Sequence, residues 1–116
     1  MSLAFRENRP ILAGLLLKKN KWSVKQERRF ELYADGKIKY YKASEWAGTF
    51  ELTKVSKTRK ISRFELEVAF GPGKKTLLLA QVDLANAPRK QEFYSCVLDD
   101  WVEALNSVVE FINLQK

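Results

Sequence analysis

Apolar and polar residues alternate in short runs along most of this chain, and the period changes only near its end. ILAGLLLKK (11–19) is apolar and closes in lysines. RRFELYA (28–34) puts Phe30, Leu32 and Ala34 on one side and Arg29, Glu31 and Tyr33 on the other, the two-residue period of a strand. Asp35-Gly36 and then KIKYYK (37–42) follow. An Asp-Gly pair between two such runs signals a hairpin, because a tight primed turn needs positive φ. GTFELTKV (48–55) and ISRFELEVAF (61–70) come next, then the turn Gly71-Pro72-Gly73 and KTLLLAQV (75–82). A polar loop with Asn86 and Pro88 leads to RKQEFYSCV (89–97), the seventh strand candidate. Seven short strands with turn signals between them predict a meandering antiparallel sheet, closed or sandwiched.

The last segment is different. Leu98, Trp101, Leu105, Val108, Val109 and Ile112 recur at helical steps, and Asp99 and Asp100 stand at the start, where a helix N-terminus favours carboxylates. This predicts one amphipathic helix over 98–114. The expected fold is mainly β: a seven-stranded antiparallel barrel or orthogonal sandwich capped by one C-terminal helix that covers its exposed edges. Residues 1–10 read as a tail, and 11–114 as one domain. A chain of 116 residues, 46% of them apolar, suits a single core.

Composition narrows the chemistry. The chain has no histidine and one cysteine, so no internal disulfide forms and a structural zinc site is excluded. No spacing suggests a nucleophile, a base or a metal constellation, so neither catalysis nor a cofactor is expected. Cys96 lies among Phe93, Tyr94, Val97 and Leu98 and reads as a core thiol in a reducing, cytoplasmic compartment. No apolar run approaches the roughly 18 residues of a membrane span. The opening MSLAFRENRP lacks a secretory layout.

A net charge of +7 favours anionic partners, unless it marks only a solvated basic surface. Single-strand nucleic-acid binders interleave basic residues with exposed aromatics. Most aromatics here alternate toward the core, so no nucleic-acid partner is expected.

Several ordered motifs together resemble a pleckstrin homology domain over residues 12–113. They are Gly14-Leu15-Leu16-Leu17-Lys18, then Arg28-Arg29-Phe30-Glu31-Leu32, Ile38-Lys39-Tyr40-Tyr41, Gly48 before Thr49-Phe50-Glu51-Leu52, and Trp101 within Asp100-Trp101-Val102-Glu103-Ala104-Leu105. The resemblance implies a module found in larger signalling proteins, kinases among them, acting as a monomer at the cytoplasmic face of a membrane. In phosphoinositide-binding members the headgroup site lies at the first two strands and their loop. Lys18 matches the first-strand lysine and Arg28 the second-strand arginine, and Lys39 falls where some members place a third-strand contact.

The ligand-binding set expected from this resemblance is Lys18, Lys19, Lys21, Lys25, Arg28 and Lys39. Arginine meets phosphate with a planar fork of donors, and lysine with a point charge. Six cations crowd residues 18–29 against one acid, Glu27. Gln26 and Ala47 depart from the basic residues of strong binders, which points to modest affinity and low selectivity. The same loop also suits an acidic protein partner, or plain solvation. Trp22 inside it either contacts the membrane at headgroup depth or folds back on the barrel. A second basic run, Lys54, Lys57, Arg59, Lys60 and Arg63, is expected in the loop before the fifth strand, as a solvated face or separate protein contact. Lys74 and Lys75 are expected between the fifth and sixth strands, with Arg89 and Lys90 near the mouth.

Overall fold

In the computed structural model, which describes residues 9–20, 22, 24–82 and 97–115, seven strands precede one helix among those residues. The strands are β1 (Leu12–Lys19), β2 (Lys25–Leu32), β3 (Lys37–Lys42), β4 (Glu45–Glu51), β5 (Lys57–Ser62), β6 (Glu65–Ala69) and β7 (Thr76–Ala80). The helix is α1 (Val97–Leu114). All strands join one antiparallel sheet in the order β4-β3-β2-β1-β7-β6-β5. β4 and β5 end the sheet and do not pair with each other. The expected mainly β, helix-capped architecture is present.

One strand assignment changes. The run 61–70 is not one strand: Ser62 pairs with Glu65 across a two-residue turn at Arg63-Phe64. No glycine or proline marks that turn, and regular alternation resumes at Phe64 inside it, which hid it. Thus β5 covers most of the basic run expected as a loop, and Lys74 and Lys75 lie in the turn between β6 and β7. The strand expected over 89–97 falls outside the described residues, apart from Val97, where α1 begins. Cys96, Arg89 and Lys90 lie outside them too, as do residues 1–8 of the expected tail.

The Asp35-Gly36 hairpin forms, but not through a primed turn. Gly36 alone in it takes a positive φ, 97°. Its N–H donates to the Tyr33 carbonyl at 3.0 Å, and the Tyr33 N–H donates to the Lys37 carbonyl at 2.9 Å. This is a three-residue loop with a left-handed glycine at its end. A Cβ at Gly36 would stand 3.0 Å from Ile112 Cδ1, so the turn packs directly under α1.

Inside, four aromatic rings stack across the sheet: Phe30 on Tyr40 at 5.5 Å, Tyr40 on Phe50 at 5.5 Å, and Phe50 on Phe70 at 5.3 Å. The column joins β2, β3 and β4 to the end of β6, across the seam that no backbone pairing closes. Gly48 makes room for it, since a Cβ there would lie 2.7 Å from the Tyr40 ring. Trp101, Leu98, Leu105, Val108 and Val109 of α1 complete the buried core.

Polar contacts fix the helix to the free edge. Asn106 Nδ2 donates to the Thr58 carbonyl at 3.3 Å, and Asn113 Nδ2 to the Lys54 carbonyl at 3.2 Å. Lys60 Nζ lies 2.9 Å from Asp99 Oδ1, within the first turn of α1. Thr53 and Ser56 hydroxyls both donate to the Phe70 carbonyl, at 2.9 and 3.1 Å, and tie the β4–β5 connection to β6.

Two stability changes are expected from this packing. Trp101→Ala removes the largest buried side chain and should cost about 3–5 kcal/mol in denaturant unfolding. Gly48→Ala drives a methyl into the Tyr40 ring and should cost about 1–3 kcal/mol by the same measurement, with an altered near-ultraviolet signal from the displaced ring.

Candidate anion-binding site at the open rim

Strand direction brings three connections to one end of the sheet. β1 runs out through Lys19 into the β1–β2 connection. β3 runs parallel to β1 across β2, so the β3–β4 hairpin emerges beside it. Leu78 pairs with Lys19, which leaves Thr76 and the Gly71–Lys75 turn farther along the same way. Lys74 and Lys75 therefore belong to this rim.

Asn20 organises the β1–β2 connection. Its Oδ1 accepts from the Trp22 N–H at 2.8 Å and the Val24 N–H at 3.0 Å, while its own N–H donates to the Val24 carbonyl at 3.0 Å. Asparagine suits this role because its short amide mimics a backbone turn. The loop so formed displays Trp22 with 73% of its surface exposed, not folded back on the barrel. Asn20 was not singled out from the sequence, although an Asx residue directly after a strand is a turn signal.

Register then sorts the cations by face. Residues directly opposite in an antiparallel pair share a side, and successive residues alternate. Gly14 opposes Phe30 and Leu16 opposes Arg28, with Leu16 and Phe30 fully buried. Arg28 thus projects to the inner side of the sheet. Lys18, two residues beyond Leu16, projects the same way, opposite Gln26. Its Nζ stands 5.6 Å from the centre of the Tyr40 ring, an attraction between ammonium and π-face. Lys18 and Arg28 are diagonal neighbours, a relation that sets their Cα atoms about 7–8 Å apart. Arg28 Nη1 donates to the Glu27 carbonyl at 2.7 Å, which leaves other guanidinium donors for a ligand. Neither cation has an ion-pair partner among the described residues. Lys42, two residues past Tyr40, continues the same parity to the same rim. It was missed because the alternation was not counted beyond the Tyr40-Tyr41 pair.

Lys19, Lys25 and Lys39 project to the outer side. Lys19 and Lys25 directly oppose each other, and both reach Glu65 Oε2 of β6, at 3.4 and 3.7 Å. Lys39 opposes Glu31, and its Nζ lies 5.0 Å from the centre of the Tyr33 ring. The structure therefore brings Lys18 and Arg28 together and sets these three apart from them. Lys21 lies outside the described residues.

The outer side carries its own network. The Tyr33 hydroxyl donates to Glu31 Oε1 at 2.7 Å, and Arg29 Nε lies 3.4 Å from Glu31 Oε2. Burial pushes the Glu31 carboxyl up, but hydrogen bonds from Tyr33, Tyr41 and Arg29 outweigh it and hold the pKa below the usual carboxylate value. Burial first, and then the hydrogen bond to Glu31, push the Tyr33 phenol up to about 12.

The chain is thus a seven-stranded antiparallel sheet, folded over an aromatic column and plugged by a C-terminal helix, with cations at its open rim. Neither a protein-family model nor a curated protein matches the chain. Solved structures do. The C-terminal PH domain of pleckstrin, in complex with D-myo-Ins(1,2,3,4,5)P5, aligns with a TM-score of 0.63 at 18% identity, over 85% of this chain and 97% of that one. The PH domain of human oxysterol binding protein-related protein 11 aligns at 0.62 and 18% identity, over 90% and 85%. The DH/PH fragment of PDZRHOGEF, solved with human RhoA, aligns at 0.68 and 14% identity, over 94% of this chain but 31% of that one. The chain has the pleckstrin homology fold.

The outer network has a measurable titration. A phenol whose folded pKa is raised contributes stability that is complete below its unfolded value near 10 and is lost as pH rises toward about 12. Ultraviolet titration should show one tyrosine ionising near that upper value. Glu31→Gln should bring that ionisation down toward the ordinary range.

Proposed function

We propose that this chain is a membrane-targeting adaptor module that binds anionic phosphoinositide headgroups, not an enzyme. One observation carries the reading: Lys18 and Arg28 share the inner side of β1 and β2 at the rim, with no described ion pair to satisfy either. A phosphate between them would accept from the guanidinium fork and neutralise the ammonium. Gln26, on the same side, adds an amide. Lys42, Lys74 and Lys75 raise the local positive potential without contacting the ligand in this reading.

The pleckstrin structure solved with an inositol polyphosphate supports the reading as a likeness of fold. Trp22, exposed at the loop tip, would rest at headgroup depth, where an indole is well placed. Among the described residues no helix is long and apolar enough to cross a membrane, and peripheral attachment at the cytoplasmic face is the localisation proposed. The module would serve as part of a larger signalling protein.

A second reading has its own observation. Trp46 is 63% exposed on the outer side of the edge strand β4, where its Nε1 donates to Thr49 Oγ1 at 3.0 Å. An exposed indole opposite Tyr41 in the strand register suits contact with a protein partner.

Co-sedimentation with vesicles carrying a panel of phosphoinositides, at two salt concentrations, separates the two. Binding is expected and should weaken as salt rises. Joint Lys18→Ala and Arg28→Ala substitution should reduce it by at least about tenfold, since each charge-assisted hydrogen bond is worth about 1.5–3 kcal/mol. Vesicle binding with no phosphoinositide preference, undiminished in that double variant, would overturn the headgroup reading and favour a protein partner at the β4 surface.

A further inference from the structure

We propose that Glu65 is the residue that confines anion binding to the inner side of the rim, by holding Lys19 and Lys25 out of it. The inference rests on the headgroup reading above and adds its selectivity.

The register leaves a problem at the last β1–β2 pair before the loop. Lys19 and Lys25 face each other directly there. Like charges directly opposed across a strand pair repel. Two strands away from β1, on the same outer side, Glu65 sends a single oxygen, Oε2, between them, 3.4 Å from one ammonium and 3.7 Å from the other. The carboxylate and the Lys19 ammonium are largely covered, with 22% and 21% of their side-chain surface exposed, so solvent screens their attraction only partly. Glu65 thus removes the repulsion and occupies the place a phosphate oxygen would take. The cluster presents a net single positive charge in place of two.

The consequence is a division of labour among lysines that look equivalent in the chain. Any anion drawn to the outer side competes with a tethered carboxylate that dissociates from nothing. Among the described residues, Lys18 and Arg28 on the inner side face no such competitor. A surface of diffuse negative charge therefore gains little from Lys19 and Lys25, and affinity depends on a headgroup that reaches the inner pair. Glu67, the next outer residue on β6, offers a control: it pairs at 3.1 Å with Arg59 of β5, across the edge of β6 that faces away from β7 and β1.

Glu65→Gln and Glu67→Gln make the same charge change. With vesicles of phosphatidylcholine and phosphatidylserine that lack phosphoinositide, Glu65→Gln should bind roughly five- to twentyfold more tightly than the parent, as one or two freed lysines reach anionic lipid. Its salt dependence should steepen. Its affinity for soluble inositol pentakisphosphate should stay at the parent value, and Glu67→Gln should differ little from the parent in both assays. Equal gains in the two variants, or a headgroup affinity that rises with vesicle binding, would overturn the proposal. A second measurement uses the unaltered chain: lysine acetylation read by mass spectrometry, with and without soluble inositol pentakisphosphate. Lys18 should be protected, and Lys19 and Lys25 should not. Protection of all three would overturn the role of Glu65 while leaving the headgroup reading intact. No protection of Lys18, with no phosphoinositide binding by the parent, would remove the headgroup reading and this inference with it.

Discussion

The stacked rings of Phe30, Tyr40, Phe50 and Phe70 are the interaction on which the rest of the molecule depends. Backbone pairing alone leaves β4 and β5 as separate edges, and the column supplies the lateral contact across that seam. Aromatic pairs at these separations add about 0.5–1.5 kcal/mol each beyond their burial. The column also reaches the open rim, because the Tyr40 ring is the surface beneath Lys18 Nζ. Its seat depends in turn on the missing side chain at Gly48. One glycine thus links the packing of the core to the placement of a cation at the rim.

The second constraint is the two-residue parity of a strand. It allows neighbours in sequence to share a region but not a side. Lys18 and Lys19 are adjacent, yet one lies over a core ring and the other ends against Glu65. A basic stretch laid on two antiparallel strands therefore becomes two clusters with opposite prospects. The outer one is compensated by carboxylates, at Glu65 for Lys19 and Lys25 and at Glu31 for Arg29. Exposed pairs of this kind add only about 0–1 kcal/mol to stability. Their larger effect is to leave Lys18 and Arg28, on the inner side, without a carboxylate partner among the described residues.

The helix completes the architecture from the opposite flank. Its apolar stripe, centred on Trp101, fills the barrel, while Asn106 and Asn113 supply donors to carbonyls along β5 and the turn before it. An edge strand with free carbonyls is a template for unwanted pairing, and here the capping helix meets part of that demand. β4 keeps a more exposed margin, with Trp46 on its outer side.

Much of this was legible in the chain. The alternation around Phe30 and Leu32, the Asp35-Gly36 hairpin, the period change at Leu98 and the buried Trp101 follow from local rules that one strand or helix obeys by itself. Parity also puts Lys18 and Arg28 on one side of the sheet, while their role as a headgroup pair came from the resemblance alone. The turn at Arg63-Phe64 was not legible, because it carries no glycine or proline and alternation resumes directly at Phe64. Glu65 as a partner for Lys19 was not legible either, since 46 residues separate them and only the β1–β7–β6 order brings them together. Among the described residues and outside the Arg63-Phe64 turn, local pattern determined which residues lie in strands and which side each faces. Only the tertiary fold decided which charges meet, because an ion pair depends on distance in space, and strand order is what sets that distance.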